Sequence, residues 1–365
     1  MKDLQRAAHF VQNRDIIGSP PNAAIVAALT EMGLCVDIFA PGASQADSVY
    51  GDTVRIFDAQ YSRSWLLRAL PSSRWRGYVH YSASAEDALV VAGVLAKWSR
   101  RPFCASVDEI KSGTYRGNAP EVWKRMARWA IRSAYHAVVN DQSRVALLRD
   151  YAHRNGQIGV YPGCFHQVPA PADRDSLRAA WGVPSGAAVI GVSGGFNETG
   201  GADWILDTVH ADAGLFLVLQ TVNASEFEKI LLERVTCRKG MYIEPTRLSW
   251  QEAWASAAAF DMGVAIYHNP APQFQNMGIS SNRLCMFLAM GVPVIASRQP
   301  SFEFLERYDC GRMVGSAKEF AAAAAEIAGR REIMRTNALR CAVEYIQAPQ
   351  RYRELYQTLS QSVAI

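Results

Sequence analysis

Short apolar runs alternate with amphipathic stretches along almost the whole chain, and this alternation restricts the fold more than any other feature. A short apolar run bounded by turn residues suits a strand buried on both faces. A longer amphipathic stretch suits a helix packed on one side, and the two in succession specify βαβ units and parallel sheets. In the first half, strands are predicted near 7–12, 34–39, 54–58, 77–82, 102–107 and 136–140, with helices near 21–33, 85–99, 119–134 and 142–153. A second series places strands at 187–193, 215–220, 262–266 and 293–297, with shorter ones near 241–243 and 312–314. Its helices fall at 201–210, 225–234, 250–259, 281–290, 302–308 and 317–329, and the stretch from about 335 to 362 is also helical in pattern.

The local chemistry agrees with several of these boundaries. Ser84 with Asp87, Ser249 with Glu252 and Ser316 with Glu319 have capping-box spacing. Gly291 stands where a left-handed helix end is wanted before a strand restarts at PVIAS. The run YPGCFHQVPAPADRD, 161–175, has no periodicity and several prolines, and reads as a linker. The chain therefore divides into a Rossmann-like domain over 1–165, a second over 166–345, and a C-terminal helix over 346–365 expected to pack back on the first domain. In open α/β sheets, ligands bind beyond the carboxyl ends of the strands, so two such domains can hold two ligands, donor on one and acceptor on the other.

Composition removes other classes. Of 365 residues, 49% are apolar and 20% charged, which is ordinary for a packed protein and unlike a disordered one. A net charge of +4 is too small for a nucleic-acid binder without a concentrated basic patch. Seven cysteines, without CxxC or metal-like spacing, read as reduced thiols in a cytoplasmic protein. MKDLQRAAHF lacks the apolar core of a signal peptide, and no run is long enough to span a bilayer, so contact with a membrane would be peripheral at its inner face.

Two segments carry chemistry. After the strand AAVIGVS come Gly194, Gly195, Phe196, Asn197, Glu198, Thr199, Gly200 and Gly201. Glycines let a backbone approach a phosphate, and the next helix offers N–H groups and a positive dipole end; the same loop also serves as a plain strand-to-helix turn. Further on, Gly278, Ile279, Ser280, Ser281, Asn282, Arg283 and Leu284 lead into a helix that Ser280 or Ser281 can cap. An arginine at a helix N-terminus suits a diphosphate through fork-shaped, charge-assisted bonds beside the dipole.

SSNRLCMFLAMGVPVIAS resembles the donor-site motif of bacterial GT-B glycosyltransferases of the family 4 group. GVSGGFNETGGADWILD, LSWQEAWASAAAFDMGVAIY and YVHYSASAEDALVVAGVLAKWSRRPFCASVDE resemble other segments of that family, and together the likeness covers most of 75–330. It implies an α/β, GT-B fold of two doubly wound domains facing a cleft. It also implies transfer of a sugar from a nucleotide-sugar, a UDP-sugar, to a surface-glycan or lipid-linked acceptor, with retention of anomeric configuration and without a metal or further cofactor. Ser280, Ser281, Asn282 and Arg283 would hold the donor diphosphate, with Gly194, Gly195 and Asn197 beside it. His80 would face the transferred sugar, and Asp108 and Glu109 would contact sugar hydroxyls. The family's two donor-site glutamates are replaced here by Gly278 and Met286, and the basic residue after its Gly loop is missing, a charge that Arg238, Lys239 or Arg247 would have to supply.

Other residues have simpler readings. His80 is either a site residue or a hydrogen-bonded core histidine, while His166 and His268 read as structural. Met286 reads as core, and Asp173-Arg174-Asp175 as a solvated charge cluster rather than a metal motif. Lys124, Arg125, Arg128 and Arg132 recur along one helix with Trp123 and Trp129: either a membrane-surface helix or a solvated basic face over core tryptophans.

Overall fold

Two parallel sheets organise the computed structural model, which describes residues 5–108, 110, 121–211, 214–220 and 240–364. Contacts divide the chain into two units, Met1–His166 with Ala348–Ile365, and Gln167–Gln347. The sequence pattern placed the corresponding boundaries at 165/166 and 345/346.

The first sheet contains β1 Arg6–Phe10, β2 Cys35–Ala40, β3 Val54–Asp58, β4 Tyr78–Ser84, β5 Phe103–Val107, β6 His136–Val139 and β7 Ile158–Val160. Their order is β3-β2-β1-β4-β5-β6-β7, with all neighbours parallel. Between them run α1 Pro20–Glu31, α2 Arg63–Ala69, α3 Glu86–Ser99, α4 Glu121–Ser133 and α5 Ser143–Ala152. Alternate residues of β1 feed two cores, because side chains of a strand point to opposite faces. Ala8 and Phe10 join a core with α3, α4 and α5, while Ala7 joins one with α1.

The second sheet contains β8 Ala188–Ser193, β9 Leu215–Gln220, β10 Met241–Ile243, β11 Met262–Ala265, β12 Val294–Ser297 and β13 Gly311–Val314, ordered β10-β9-β8-β11-β12-β13. Its helices are α6 Arg174–Trp181, α7 Ala202–Ala211, α8 Trp250–Ala257, α9 Pro272–Gln275, α10 Asn282–Ala289, α11 Glu303–Arg307 and α12 Ala317–Cys341. Gly191 and Gly263 are register partners on adjacent strands. A Cβ at either would lie 2.0 Å from Phe260 or 2.2 Å from Phe287, so their bareness lets the two rings lie on the sheet. The last helix, α13 Ala348–Val363, belongs to the first unit, where Tyr352, Leu355 and Leu359 fill the core shared with α1.

Several local readings change. Ser84 and Asp87 form no capping box: Ser84 ends β4, Ala85 takes the N-cap position at φ +73°, and Asp87 accepts a 2.5 Å bond from the Trp123 indole. The linker 161–175 ends in a helix start, with Asp173 accepting from the Ser176 N–H at 2.8 Å to cap α6. Asp173 and Asp175 are exposed, as a solvated cluster would be, while Arg174, with Arg178, pairs with the buried Asp261. Helix α12 runs past 329 to Cys341, bending at Arg330, where φ is −122° and ψ 17°. A π turn over Ala342–Ile346 then interrupts the helical stretch read from 335 to 362. The helix expected at 225–234 lies outside the described residues.

Candidate functional site

Both sheets reverse strand order once, β1 against β4 in the first unit and β8 against β11 in the second. Open α/β sheets bind ligands outside the carboxyl ends of the strands at such a reversal.

In the second unit, the β8 end, the β11 end and the start of α10 meet there. Gly194 follows β8 with φ +89°, and its N–H donates to the Gln220 carbonyl at 3.0 Å. A Cβ on Gly194 would stand 3.2 Å from Arg283 Nη2, so the guanidinium lies against the glycine backbone. Arg283 is the second residue of α10, and its Cζ sits 5.5 Å from the ring centre of Tyr267, just past β11. Its Nη1 is buried without a hydrogen-bond partner. Ser281 caps α10, accepting from the Leu284 N–H at 3.2 Å, and its hydroxyl meets the Tyr267 hydroxyl at 2.6 Å. With the Ser281 side chain 1% exposed and so engaged, it shapes the helix start rather than presenting itself to a ligand. Ser280 donates to the Met277 carbonyl and closes the turn Gly278–Ser280, and Asn282 is the first residue of α10.

The glycine loop is tied to the same place. Asn197 Oδ1 accepts from the Gly200 N–H at 3.0 Å and the Thr199 hydroxyl at 2.9 Å. The Thr199 carbonyl accepts from the His268 N–H at 2.8 Å, and the His268 ring packs 4.4 Å from Trp204. A left-handed glycine turn, a helix N-terminus and an arginine with an unengaged buried nitrogen form an anion-binding arrangement. Arg247 follows β10, the edge strand, two strands from β8, and is exposed. Arg238 and Lys239 lie outside the described residues. The Gly278 N–H donates to Ser301 Oγ at 3.1 Å, and Met286 is 2% exposed in the core, so neither position offers a carboxylate or its substitute.

In the first unit, the strand reversal holds a buried polar set that the sequence did not reveal. His9 of β1 meets Ser82 Oγ at 2.9 Å through Nδ1 and Asn22 Oδ1 at 3.1 Å through Nε2. Asn22 donates its amide to the Ile16 carbonyl and Ser19 Oγ, which orients Oδ1 toward the histidine. Nε2 of His9 therefore carries the proton and Nδ1 accepts from Ser82. Burial lowers the His9 pKa to about 4, against the opposing effect of its bond to Asn22.

His80 sits in mid-strand, fully buried, with Nδ1 3.1 Å from Ser362 Oγ of α13 and Nε2 unpartnered. Burial, with His9 nearby, lowers its pKa to about 3. Of its two readings, this geometry fits the core histidine, held under α13 and away from the strand ends. Asp108 does stand at a strand end, just past β5. Its carboxylate accepts from Ser106 Oγ at 3.1 Å, and its carbonyl from Arg144 Nη1 at 2.5 Å. Glu109 lies outside the described residues. His166 stacks on Tyr352 at 3.9 Å. Trp123 and Trp129 pack against the core beneath α4, while Arg128 pairs with Glu121 at 2.9 Å. Among the described residues, no three His, Cys, Asp or Glu side chains cluster as metal ligands.

No protein-family model matches the chain, and no curated protein does. Solved structures do. Anabaena HepE in complex with UDP is 17% identical with a TM-score of 0.75, over 98% of this chain and 100% of that one. Sucrose-phosphate synthase from Thermosynechococcus elongatus is 14% identical with a TM-score of 0.71, over 99% and 100%. A Listeria monocytogenes protein named for UDP-N-acetylglucosamine 2-epimerase activity is 10% identical with a TM-score of 0.60, over 97% and 96%. At these identities the likeness establishes the fold: an α/β fold of the GT-B type, with parallel sheets of seven and six strands.

Proposed function

We infer that this protein is a glycosyltransferase that takes a sugar from a nucleotide-sugar held by its second unit. The observation that carries the reading is the Arg283 guanidinium laid against Gly194 at the strand reversal, with Nη1 unengaged and the α10 N-terminus beside it. Sugar transfer leaves a nucleoside diphosphate, and its growing negative charge is what preorganised donors stabilise most. Arg283 and the first N–H groups of α10 supply that stabilisation without a metal. Asp108, just past the carboxyl end of β5, is the carboxylate that the family resemblance assigns to sugar hydroxyls. The UDP and UDP-glucose bound by HepE structures of the same fold support a UDP-sugar as donor. The resemblance of 280–297 to family 4 donor motifs supports a surface-glycan or lipid-linked acceptor, retention at the anomeric carbon, and a cytoplasmic protein with peripheral membrane contact.

Two other functions use the same diphosphate site. An epimerase of this fold would need acid–base groups around the sugar, and the Listeria structure is the observation in its favour. A non-catalytic binding subunit is favoured by Gly278 and Met286 in place of carboxylates. The test is UDP release across a panel of UDP-sugars, with membrane extract from the source as acceptor. Release that depends on the extract and persists in EDTA supports the metal-free transferase. Conversion of the donor without an acceptor supports the epimerase. Donor binding without turnover in any fraction supports the binding subunit.

A further inference from the structure

The amino edge of the first sheet, opposite the strand ends described above, is basic and free of acids across three adjacent strands. The segments leading into β4, β5 and β6, residues 70–77 and, with the preceding helix ends, 96–102 and 130–136, contain Arg74, Arg76, Lys97, Arg100, Arg101 and Arg132 without a single Asp or Glu. Arg74 and Arg76 are held over aromatic rings, 4.3 Å from the centre of Trp75 and 4.8 Å from that of Trp98. Between the last two segments opens a cavity of about 550 Å³ lined by Ala96, Lys97, Arg100, Arg101, Pro102 and Tyr135. Its three cations are exposed, and none takes part in an ion pair among the described residues. Tyr135, 47% exposed at the rim, is the kind of half-wet aromatic that suits a membrane interface.

We propose that this cavity takes the phosphate of an anionic lipid headgroup and docks the first unit on a negatively charged membrane. The site is a local pocket lined by six residues rather than an extended groove along which bases stack, and the chain's net charge of +4 is modest, which favours a lipid over a nucleic acid. This puts the peripheral contact not on the basic face of α4, whose tryptophans are turned into the core, but at the opposite end of the α3–α4 pair. It does not depend on glycosyl transfer, because the test contains no sugar donor.

The test is sedimentation of the full chain with phosphatidylcholine vesicles, with and without phosphatidylglycerol. The pocket variant combines Lys97→Gln, Arg100→Asn and Arg101→Gln. Asparagine is chosen because Arg100 has φ +55°, a left-handed backbone that asparagine tolerates. The comparison variant, Lys124→Gln, Arg125→Gln and Arg128→Gln, removes the same charge from α4. The wild type should sediment only with phosphatidylglycerol and be released by salt, and inorganic phosphate at matched ionic strength should not displace it. The pocket variant should bind roughly 100-fold more weakly, at about fivefold per cation, and the α4 variant less than about tenfold more weakly. Arg100→Asn alone, at about fivefold, is the milder variant if the triple variant melts early. Equal losses in the two triple variants would overturn the pocket. So would displacement by inorganic phosphate, or a pocket-dependent preference for a single-stranded oligonucleotide over vesicles.

Discussion

Arg283 and Gly194 lie 89 residues apart, yet a Cβ on the glycine would stand 3.2 Å from the arginine's Nη2. The contact joins the loop after the first strand of the second sheet to the helix that precedes β12. It makes the arginine's position depend on the glycine's lack of a side chain.

Replacing Arg283 should therefore weaken nucleotide binding more than its exposure suggests. Arg283→Ala should cost about 1–3 kcal/mol in UDP affinity, the range for a charge-assisted contact. Arg283→Lys should recover little, because an ammonium cannot reproduce the planar fork. Titration calorimetry with UDP measures both, and an unchanged dissociation constant in Arg283→Ala would remove the residue from the site.

Gly194→Ala should fail on two counts. Its φ of +89° is a backbone state that costs an alanine roughly 1–2 kcal/mol, and the new methyl would displace the guanidinium. Lower stability in urea together with weaker UDP binding is the expected result. Lower stability with UDP affinity intact would separate the glycine from the ligand.

Acid should destabilise the first unit before its carboxylates titrate. Burial holds His9 near 4, His80 near 3 and His136 near 4, against 6.5 for exposed histidine. Between pH 6.5 and about 4 the unfolded chain takes up protons that the folded chain refuses, so stability falls as pH falls. Each histidine contributes a slope of up to about 1.4 kcal/mol per pH unit. Urea unfolding at pH 7 and pH 5 should show the loss, and His80→Gln should be less stable at pH 7 with a shallower slope. A His80→Gln protein with wild-type stability and slope but no transfer activity would instead restore His80 to the reaction.

Leu359→Ala should cost about 2–5 kcal/mol, because Leu359 is fully buried in the core that α13 shares with α1. The loss should appear in the transition of the first unit, followed by tryptophan fluorescence from Trp75. If the variant matches the wild type, α13 does not complete that core in solution.

The strands were legible because a strand buried on both faces is a continuous apolar run, as in AAVIGVS and LFLVLQ. The candidate anion site was legible where its signal is local: Ser281 before Leu284, and a glycine loop after a strand. What escaped notice depended on distant partners. His9 is one polar residue in AAHFV, and Ser82, which gives it a purpose, lies 73 positions away. Tyr267 reads as a strand end until its hydroxyl is found on Ser281. Helix α6 was missed at the end of a proline-rich linker because its stabilising partner, Asp261, is more than 80 residues on. The end of α12 is hard to read because the strong helix-forming segment AAAAAEIAG ends at Gly329 while the helix bends at Arg330 and continues.

The return of α13 to the first unit has a consequence for the order in which the chain is made. Residues 1–166 leave the ribosome first, but the face of α1 that receives Tyr352, Leu355 and Leu359 stays uncovered until those residues have been synthesised. His80 likewise waits for Ser362. The second unit, continuous from 167 to 347, has every one of its residues available earlier. The half whose synthesis begins first is thus the half whose core waits for the residues made last.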